Sequence, residues 1–98
     1  MRVLARELNG IVLLKIIIEH PSESGTRKDE QGNVIPAHFI REGRIALNGA
    51  PLFDLDLGPS VSRDPFFQLK FAGKKGDQIK LEFTDSKFQE FSADCVVT

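Results

Sequence analysis

The sequence contains no tryptophan, no tyrosine and a single cysteine, Cys95. One cysteine excludes an internal disulfide and any metal site built from several cysteines. All eight aromatic residues are phenylalanines, which need no buried polar partner and suit a dry core. The basic residues are scattered and the net charge is −1, so the chain lacks the basic patch and stacking residues typical of nucleic-acid binders.

Apolar runs long enough to cross a bilayer are also missing. The longest run, Ile11–Ile18, contains Lys15 and is far shorter than the roughly 20 residues that a membrane-spanning helix needs. Met1 to Leu8 shows no apolar segment that ends at a small-residue cleavage site, as a secretory leader would. We therefore expect no membrane contact, and expect any export to depend on another protein or on a removed leader.

Helical periodicity is absent, whereas short alternating segments recur between turns. At 98 residues the chain is expected to form one domain, residues 1–98. About seven strands at this spacing are typical of an all-β, immunoglobulin-like antiparallel β-sandwich. The predicted strands are Arg2–Leu8, Ile11–His20, Ala37–Leu47, Pro51–Leu57, Phe66–Ala72, Gln78–Thr84 and Glu90–Thr98.

The second predicted strand is aliphatic on both faces. Val12, Leu14, Ile16 and Ile18 form one wholly apolar face, and Ile11, Leu13 and Ile17 make the other face mostly apolar. A sandwich strand buries only one face in the core. The second face therefore predicts either cover by the protein's own loops or a surface for a partner.

Two glycine-containing signals predict the shape of the next hairpin. Asn48-Gly49 predicts a type I′ turn. Gly43, inside a predicted strand, is expected to mark a bulge or a bend.

The segment His20–Pro36 interrupts this series of strands. It is charged, and Gly25 and Gly32 occupy plausible turn positions with positive φ. A loop of this length in a small domain is usually functional or mobile. We predict that it is a functional or partner-facing loop.

No catalytic motif accompanies that loop. The chain has no GxSxG elbow, and Gly73–Gly76 lacks the spacing of a phosphate-binding loop. Cys95 alternates in phase with Ala93 and Val97, which indicates a core residue. We expect no enzymatic activity and no cofactor. A small metal-binding or redox domain that uses His20, His38 and Cys95 stays open as an alternative, although these residues are too few for a closed site.

The same loop carries a family resemblance. HPSESGTRKDEQGNVIPAHFI resembles the hallmark segment of the SoxZ family, whose pattern is close to HPMETGxRxDxxGxxIPxxFI. The matching positions are His20, Pro21, Glu23, Gly25, Arg27, Asp29, Gly32, Ile35, Pro36, Phe39 and Ile40. The later stretch LNGAPLFDLDLGPSVSRDPFFQLKF is similar to a second family segment, with matches at Asn48, Gly49, Phe53, Asp56, Ser62, Pro65, Phe66 and Phe71. Departures are Ser22, Ser24, Asp64, Phe83 and the turn Asp85–Phe88, where the family has Asp-x-x-Gly.

The resemblance implies a non-catalytic subunit that pairs with SoxY in the SoxYZ carrier of periplasmic sulfur oxidation. SoxY bears the sulfur intermediate on a cysteine in its C-terminal Gly-Gly-Cys-Gly-Gly arm, and its leader exports both subunits. Cys95 has no flanking glycines, so the carrier cysteine is expected on SoxY.

Transient contacts with other Sox enzymes are also implied. A homodimer of the isolated chain and a generic immunoglobulin-like interaction domain stay open. The candidate partner-binding residues are His20, Pro21, Glu23, Arg27, Asp29, Pro36 and Phe39.

Overall fold

The structure, a computed structural model, describes residues 1–20, 22–58 and 65–98. Pro21 and residues 59–64, among them Ser62 and Asp64, lie outside the described residues. Within them, no helix has the length and apolar character needed to cross a membrane. The strands are β1 (Arg2–Leu8), β2 (Ile11–Ile17), β3 (Ile40–Leu47), β4 (Ala50–Asp56), β5 (Phe66–Ala72), β6 (Gln78–Asp85) and β7 (Glu90–Val96).

The strands form two antiparallel sheets with the orders β1-β2-β5 and β4-β3-β6-β7. β4 pairs with β3, and the chain then returns to the first sheet, where β5 pairs with β2. The C-terminus lies beside β1, because the amide of Glu7 donates to Thr98 O and the amide of Thr98 donates to Ala5 O. These pairings confirm the predicted all-β antiparallel sandwich.

The core lies between the sheets and is built from the inward face of each strand. Val12, Leu14 and Ile16 are fully buried on β2, as the predicted apolar face requires. Phe83 lies between Phe67 and Phe91, with ring centroids 6.3 and 5.9 Å apart in near-parallel stacks. Each fully buried side chain of this size contributes about 1.5–3 kcal/mol to folding, so this layer holds the sheets together.

The turns follow the local sequence. Asn48 and Gly49 have φ of 51° and 85°, which confirms the predicted type I′ turn between β3 and β4. Asn9 and Gly10 show the same pair of positive φ values between β1 and β2.

Two strand ends differ from the prediction by three residues, and the ends of β4, β6 and β7 differ by one or two. β2 ends at Ile17 rather than His20, because its ladder pairs with β1 and β5 end at Arg2 and Phe66; beyond them the amide of Ile18 donates to Pro65 O. β3 begins at Ile40 rather than Ala37, because His38 pairs outside the sheet with Glu23.

Of the bulge or bend predicted at Gly43, the bulge was wrong, because Gly43 pairs in register with Leu55 and Phe83; a bend there stays a prediction. The register of β3 shifts between Ile40 and Glu42 and between Ile45 and Ala46. Gly43 instead lies under the ring of Phe83, where an added Cβ would stand 2.5 Å from Cε1. This close approach explains why the strand has no side chain there.

Gly43→Ala should therefore destabilise the protein by about 1–3 kcal/mol, because the new methyl group forces Phe83 out of a packed layer. Urea unfolding of the purified protein measures the change. Gly58→Ala is the control, because a Cβ at Gly58 meets no atom of the described residues within 4 Å. Equal midpoints for the two variants would contradict this account of Gly43.

Candidate functional site

The predicted loop is an ordered two-stranded ribbon, defined here as residues 22–39. Glu23 pairs with His38, and Lys28 pairs with Val34. Glu23 and His38 exchange two backbone hydrogen bonds, of 2.6 and 2.8 Å, and Ile35 N donates to Arg27 O at 2.8 Å. The ribbon adds length to a molecule that measures 53 × 21 × 16 Å, because strands of seven or eight residues span only about 25 Å.

Asp29 shapes the tip of the ribbon. Its Oδ1 accepts hydrogen bonds from the amides of Gln31 and Asn33, both at 2.9 Å. Gly32, at φ 81°, takes the left-handed position of the turn. One carboxylate oxygen therefore satisfies two turn amides that would otherwise need solvent.

An ion pair and a glycine shape the base of the ribbon. The guanidinium of Arg27 contacts both carboxylate oxygens of Glu23, with Nε donating to Oε2 at 3.1 Å. Gly25 has φ 86°, and a Cβ there would lie 3.2 Å from Cβ of Ala37 on the facing strand. These residues of the hallmark segment therefore hold the ribbon in one conformation.

Three side chains join the ribbon to the sandwich, and we call His20, His38 and Asp85 the His–Asp clasp. His38 Nε2 lies 2.8 Å from Oδ2 of Asp85, and His20 Nε2 lies 3.6 Å from the same oxygen. The two imidazole rings meet edge to face, with centroids 4.5 Å apart. His20 precedes the ribbon and His38 lies near its end, so both ends are attached to the last residue of β6.

Asp85 is 2% exposed and uses both carboxylate oxygens. Oδ1 accepts hydrogen bonds from the amides of Lys87 and Gln89, both at 2.9 Å, which shapes the turn before β7. Burial alone would raise the pKa of Asp85, but hydrogen bonds from His38 and from the amides of Gln89 and Lys87 outweigh it and lower the pKa. The clasp thus contains a buried carboxylate that stays charged.

The clasp also has the composition of a metal site, since its ligand atoms lie within 4.8 Å of one another. However, Nδ1 of His20 accepts a hydrogen bond from Ser22 N at 3.2 Å, so neutral His20 carries its proton on Nε2. A metal ion at Nε2 would require that proton to move to Nδ1. There it would face the N–H of Ser22, and the hydrogen bond from Ser22 to His20 would be lost. The geometry favours a hydrogen-bonded clasp over a metal centre.

The structure does not bring Cys95 to the two histidines. Cys95 pairs with Ile79 on β6, six residues before Asp85, which corresponds to roughly 20 Å along the strand. The predicted set of His20, His38 and Cys95 is therefore not assembled at one place. The third side chain beside the two histidines is Asp85 rather than Cys95.

The other predicted partner-binding residues are distributed along the ribbon. Arg27, Asp29 and Pro36 are exposed. Phe39 is half-buried, and its backbone exchanges hydrogen bonds with Ser86, at 3.1 and 2.7 Å. Pro21 lies outside the described residues. Their contact with a partner stays a prediction.

Sequence reasoning missed Asp85 because it lies 47 residues from His38. An aspartate that opens a turn is common, and that turn was the only local signal for Asp85 in the sequence.

The same turn carries Phe88, which is 71% exposed at φ 60°. The guanidinium of Arg41 lies over the Phe88 ring, 5.1 Å from its centroid.

A second candidate surface is the outward face of the three-stranded sheet. Ile11 is 48% exposed and Ile17 is 37% exposed, and Leu13 between them is half-buried. The second apolar face of β2 is therefore open to solvent in the described protein. The described residues cover this face only in part, and its contact with a partner stays a prediction.

Asp85→Asn should destabilise the protein by about 2–4 kcal/mol, because an amide places a donor against either His38 or the turn amides. Urea unfolding measures the loss. Asp29→Asn is the matched control: only Oδ1 of Asp29 accepts bonds, and an asparagine oxygen accepts them equally well. Similar losses for both variants would contradict the structural role given to the clasp.

The lowered pKa of Asp85 predicts a loss of stability in acid. The stabilisation that the Asp85 carboxylate provides is complete above its pKa in the unfolded chain, about 4. It is lost as the pH falls through the lower pKa of the folded protein. The free energy of unfolding should therefore fall as the pH drops below about 5. Asp85→Asn should show a shallower slope over this range in urea unfolding. An unchanged slope would mean that other carboxylates dominate, Asp77 first, since hydrogen bonds from Lys74 N and Asn48 also lower its pKa.

Comparison with known proteins gives one family. The family model described as sulphur oxidation protein SoxZ matches residues 1–96. No curated protein matches the chain significantly.

Proposed function

Because the chain belongs to the SoxZ family of sulfur-oxidation proteins, we propose that it is the non-catalytic subunit of a SoxYZ sulfur carrier. The family match over residues 1–96 carries this proposal. In it, the chain binds SoxY, and a cysteine on the C-terminal arm of SoxY bears the sulfur intermediate. The complex works in the periplasm, to which SoxY brings this subunit, and visiting Sox enzymes contact the pair transiently.

The environment of Cys95 supports a passive role. Cys95 lies inside β7, paired with Ile79 of β6, and is half-buried. Burial raises the pKa of its thiol, although a hydrogen bond with the backbone of Ala5 opposes this. A thiol with a raised pKa on a paired strand is a poor nucleophile, and it cannot swing between enzymes as a carrier arm must.

The clasp supports the same conclusion. Both oxygens of Asp85 are engaged, by the imidazole of His38 and by two turn amides. A general base needs an oxygen that can take a proton from a substrate. The clasp is therefore suited to holding the ribbon in place rather than to proton transfer.

The proposal is tested by co-expressing the chain with SoxY and loading the purified complex with thiosulfate and a two-electron oxidant, which accepts the two electrons released when the arm thiol loses its proton and joins the outer sulfur of thiosulfate. We expect a stable heterodimer and a sulfur adduct in the intact mass of SoxY. Cys95→Ser should leave the adduct unchanged, because the thiol takes no part in loading. Replacing the arm cysteine of SoxY by serine should abolish it.

Two results would overturn the proposal. Loss of the adduct in Cys95→Ser would show that this subunit takes part in the chemistry. Failure of the wild-type chain to co-purify with SoxY would favour a generic interaction domain.

A further inference from the structure

The outward faces of the two sheets have different compositions, and the register of the strands defines them. On the three-stranded sheet, Arg2, Ile17 and Phe66 form one cross-strand row, and Leu8, Ile11 and Ala72 form the row at the other end. We call this surface the basic sheet face. Its outward residues are Arg2, Leu4, Arg6, Leu8, Ile11, Leu13, Lys15, Ile17, Phe66, Gln68, Lys70 and Ala72.

The basic sheet face exposes large apolar side chains. Leu4 is 45% exposed, Leu8 is 74% exposed and Phe66 is 54% exposed, in addition to the two isoleucines of β2. Side chains of this kind exposed in one patch are unusual on a protein that stays alone in solution. The patch lies on regular strands, so it is presented on a rigid surface.

All charges on this face have one sign. Arg2, Arg6, Lys15 and Lys70 are cationic, and none of the outward positions of these three fully described strands carries a carboxylate. The exposed Glu19 lies beyond the end of β2. Cations beside aliphatic side chains favour a partner surface that combines apolar groups with carboxylates.

The outward face of the four-stranded sheet has the opposite character. Its carboxylates are Glu42, Asp54, Asp56, Glu82, Glu90 and Asp94, its cations are Arg44 and Lys80, and the exposed Arg41 lies beside them at the register shift of β3. Lys80 forms an ion pair with Glu82, 3.3 Å from Nζ to Oε1. Val96 is the one large aliphatic residue that this acidic face exposes strongly among the described strands. The two faces therefore carry net charges of opposite sign that cancel, and the net charge of −1 comes from residues outside them.

We propose that the basic sheet face is the docking surface for a partner protein whose own surface is apolar and bears carboxylates. This inference rests on the proposed function, in which that partner is SoxY. A second copy of this chain is a poorer occupant, because its acidic face supplies carboxylates but few apolar side chains. A nucleic acid would leave the exposed leucines and isoleucines without an apolar counterpart.

The size of the face suggests where the interface continues. Three strands of seven residues cover about 14 by 23 Å, an area of roughly 320 Å². This area is smaller than the roughly 800 Å² that each partner buries in a standard interface. The row of Arg2, Ile17 and Phe66 lies at the end where β2 runs toward His20 and the ribbon. The docked partner therefore extends from this row toward the base of the ribbon.

Charge reversal tests the electrostatic part of the inference. Lys15→Glu combined with Lys70→Glu should lower the association rate with SoxY about tenfold or more at low salt, and the loss should shrink in high salt. The matched control is Arg44→Glu combined with Lys80→Glu, the same charge change on the acidic face, which should leave the rate close to wild type. Surface plasmon resonance at several salt concentrations gives both rates.

Truncation of an exposed phenylalanine tests the apolar part. Phe66→Ala should raise the dissociation constant for SoxY about tenfold. Val96→Ala truncates an equally exposed apolar side chain on the acidic face, where Val96 is 56% exposed, and should change the dissociation constant less than threefold. Circular dichroism and urea midpoints confirm that each variant is folded.

The outcomes separate this inference from the proposed function. If the wild-type chain does not bind SoxY, the proposed function fails and this docking assignment fails with it. If SoxY binds but the acidic-face variant is the weakened one, the carrier role stands and this assignment is wrong. Loss of a wild-type homodimer in the Lys15/Lys70 variant, with SoxY binding unchanged, would identify a second copy as the occupant.

Discussion

The carboxylate of Asp85 connects parts of the chain that are far apart in sequence. Through His38 and His20 it holds both ends of the ribbon, and through Lys87 and Gln89 it shapes the turn before β7. The ribbon has little core of its own. Among its described residues, Ile35 is the only valine, leucine or isoleucine that is even half-buried. A two-stranded ribbon alone is marginally stable in water. Its orientation therefore depends on the buried hydrogen bonds of the clasp.

This arrangement changes the meaning of the hallmark segment. An ion pair joins Glu23 to Arg27, and Gly25 allows a close contact with the facing segment. At the tip of the ribbon, Asp29 caps the turn and Gly32 takes its left-handed position. These are structural residues first, because each of them fixes part of the backbone or one contact of the ribbon.

The predictions that succeeded depend on neighbours in the sequence, and those that failed depend on distant ones. The inward faces of β2, β5 and β6 follow from alternation, and the Asn48-Gly49 turn follows from two residues. A bulge or a bend was predicted at Gly43 because the sequence does not show which strand lies beside it. The contact that excludes a side chain there is with the ring of Phe83, which belongs to another strand. Cys95 was grouped with the histidines because residue type alone does not show that it lies at the far end of β7.

By itself, the sequence determined the strands, their inward faces, the hairpin turns and the family, since each is recorded in short stretches or in the order of matching residues. The tertiary structure alone decided which strands are neighbours. That choice places Asp85 against His38 and gathers Arg2, Lys15 and Lys70 on one face, while the carboxylates gather on the other. Such pairings join residues tens of positions apart, and their energy comes from packing and buried hydrogen bonds that exist only after the sheets have formed.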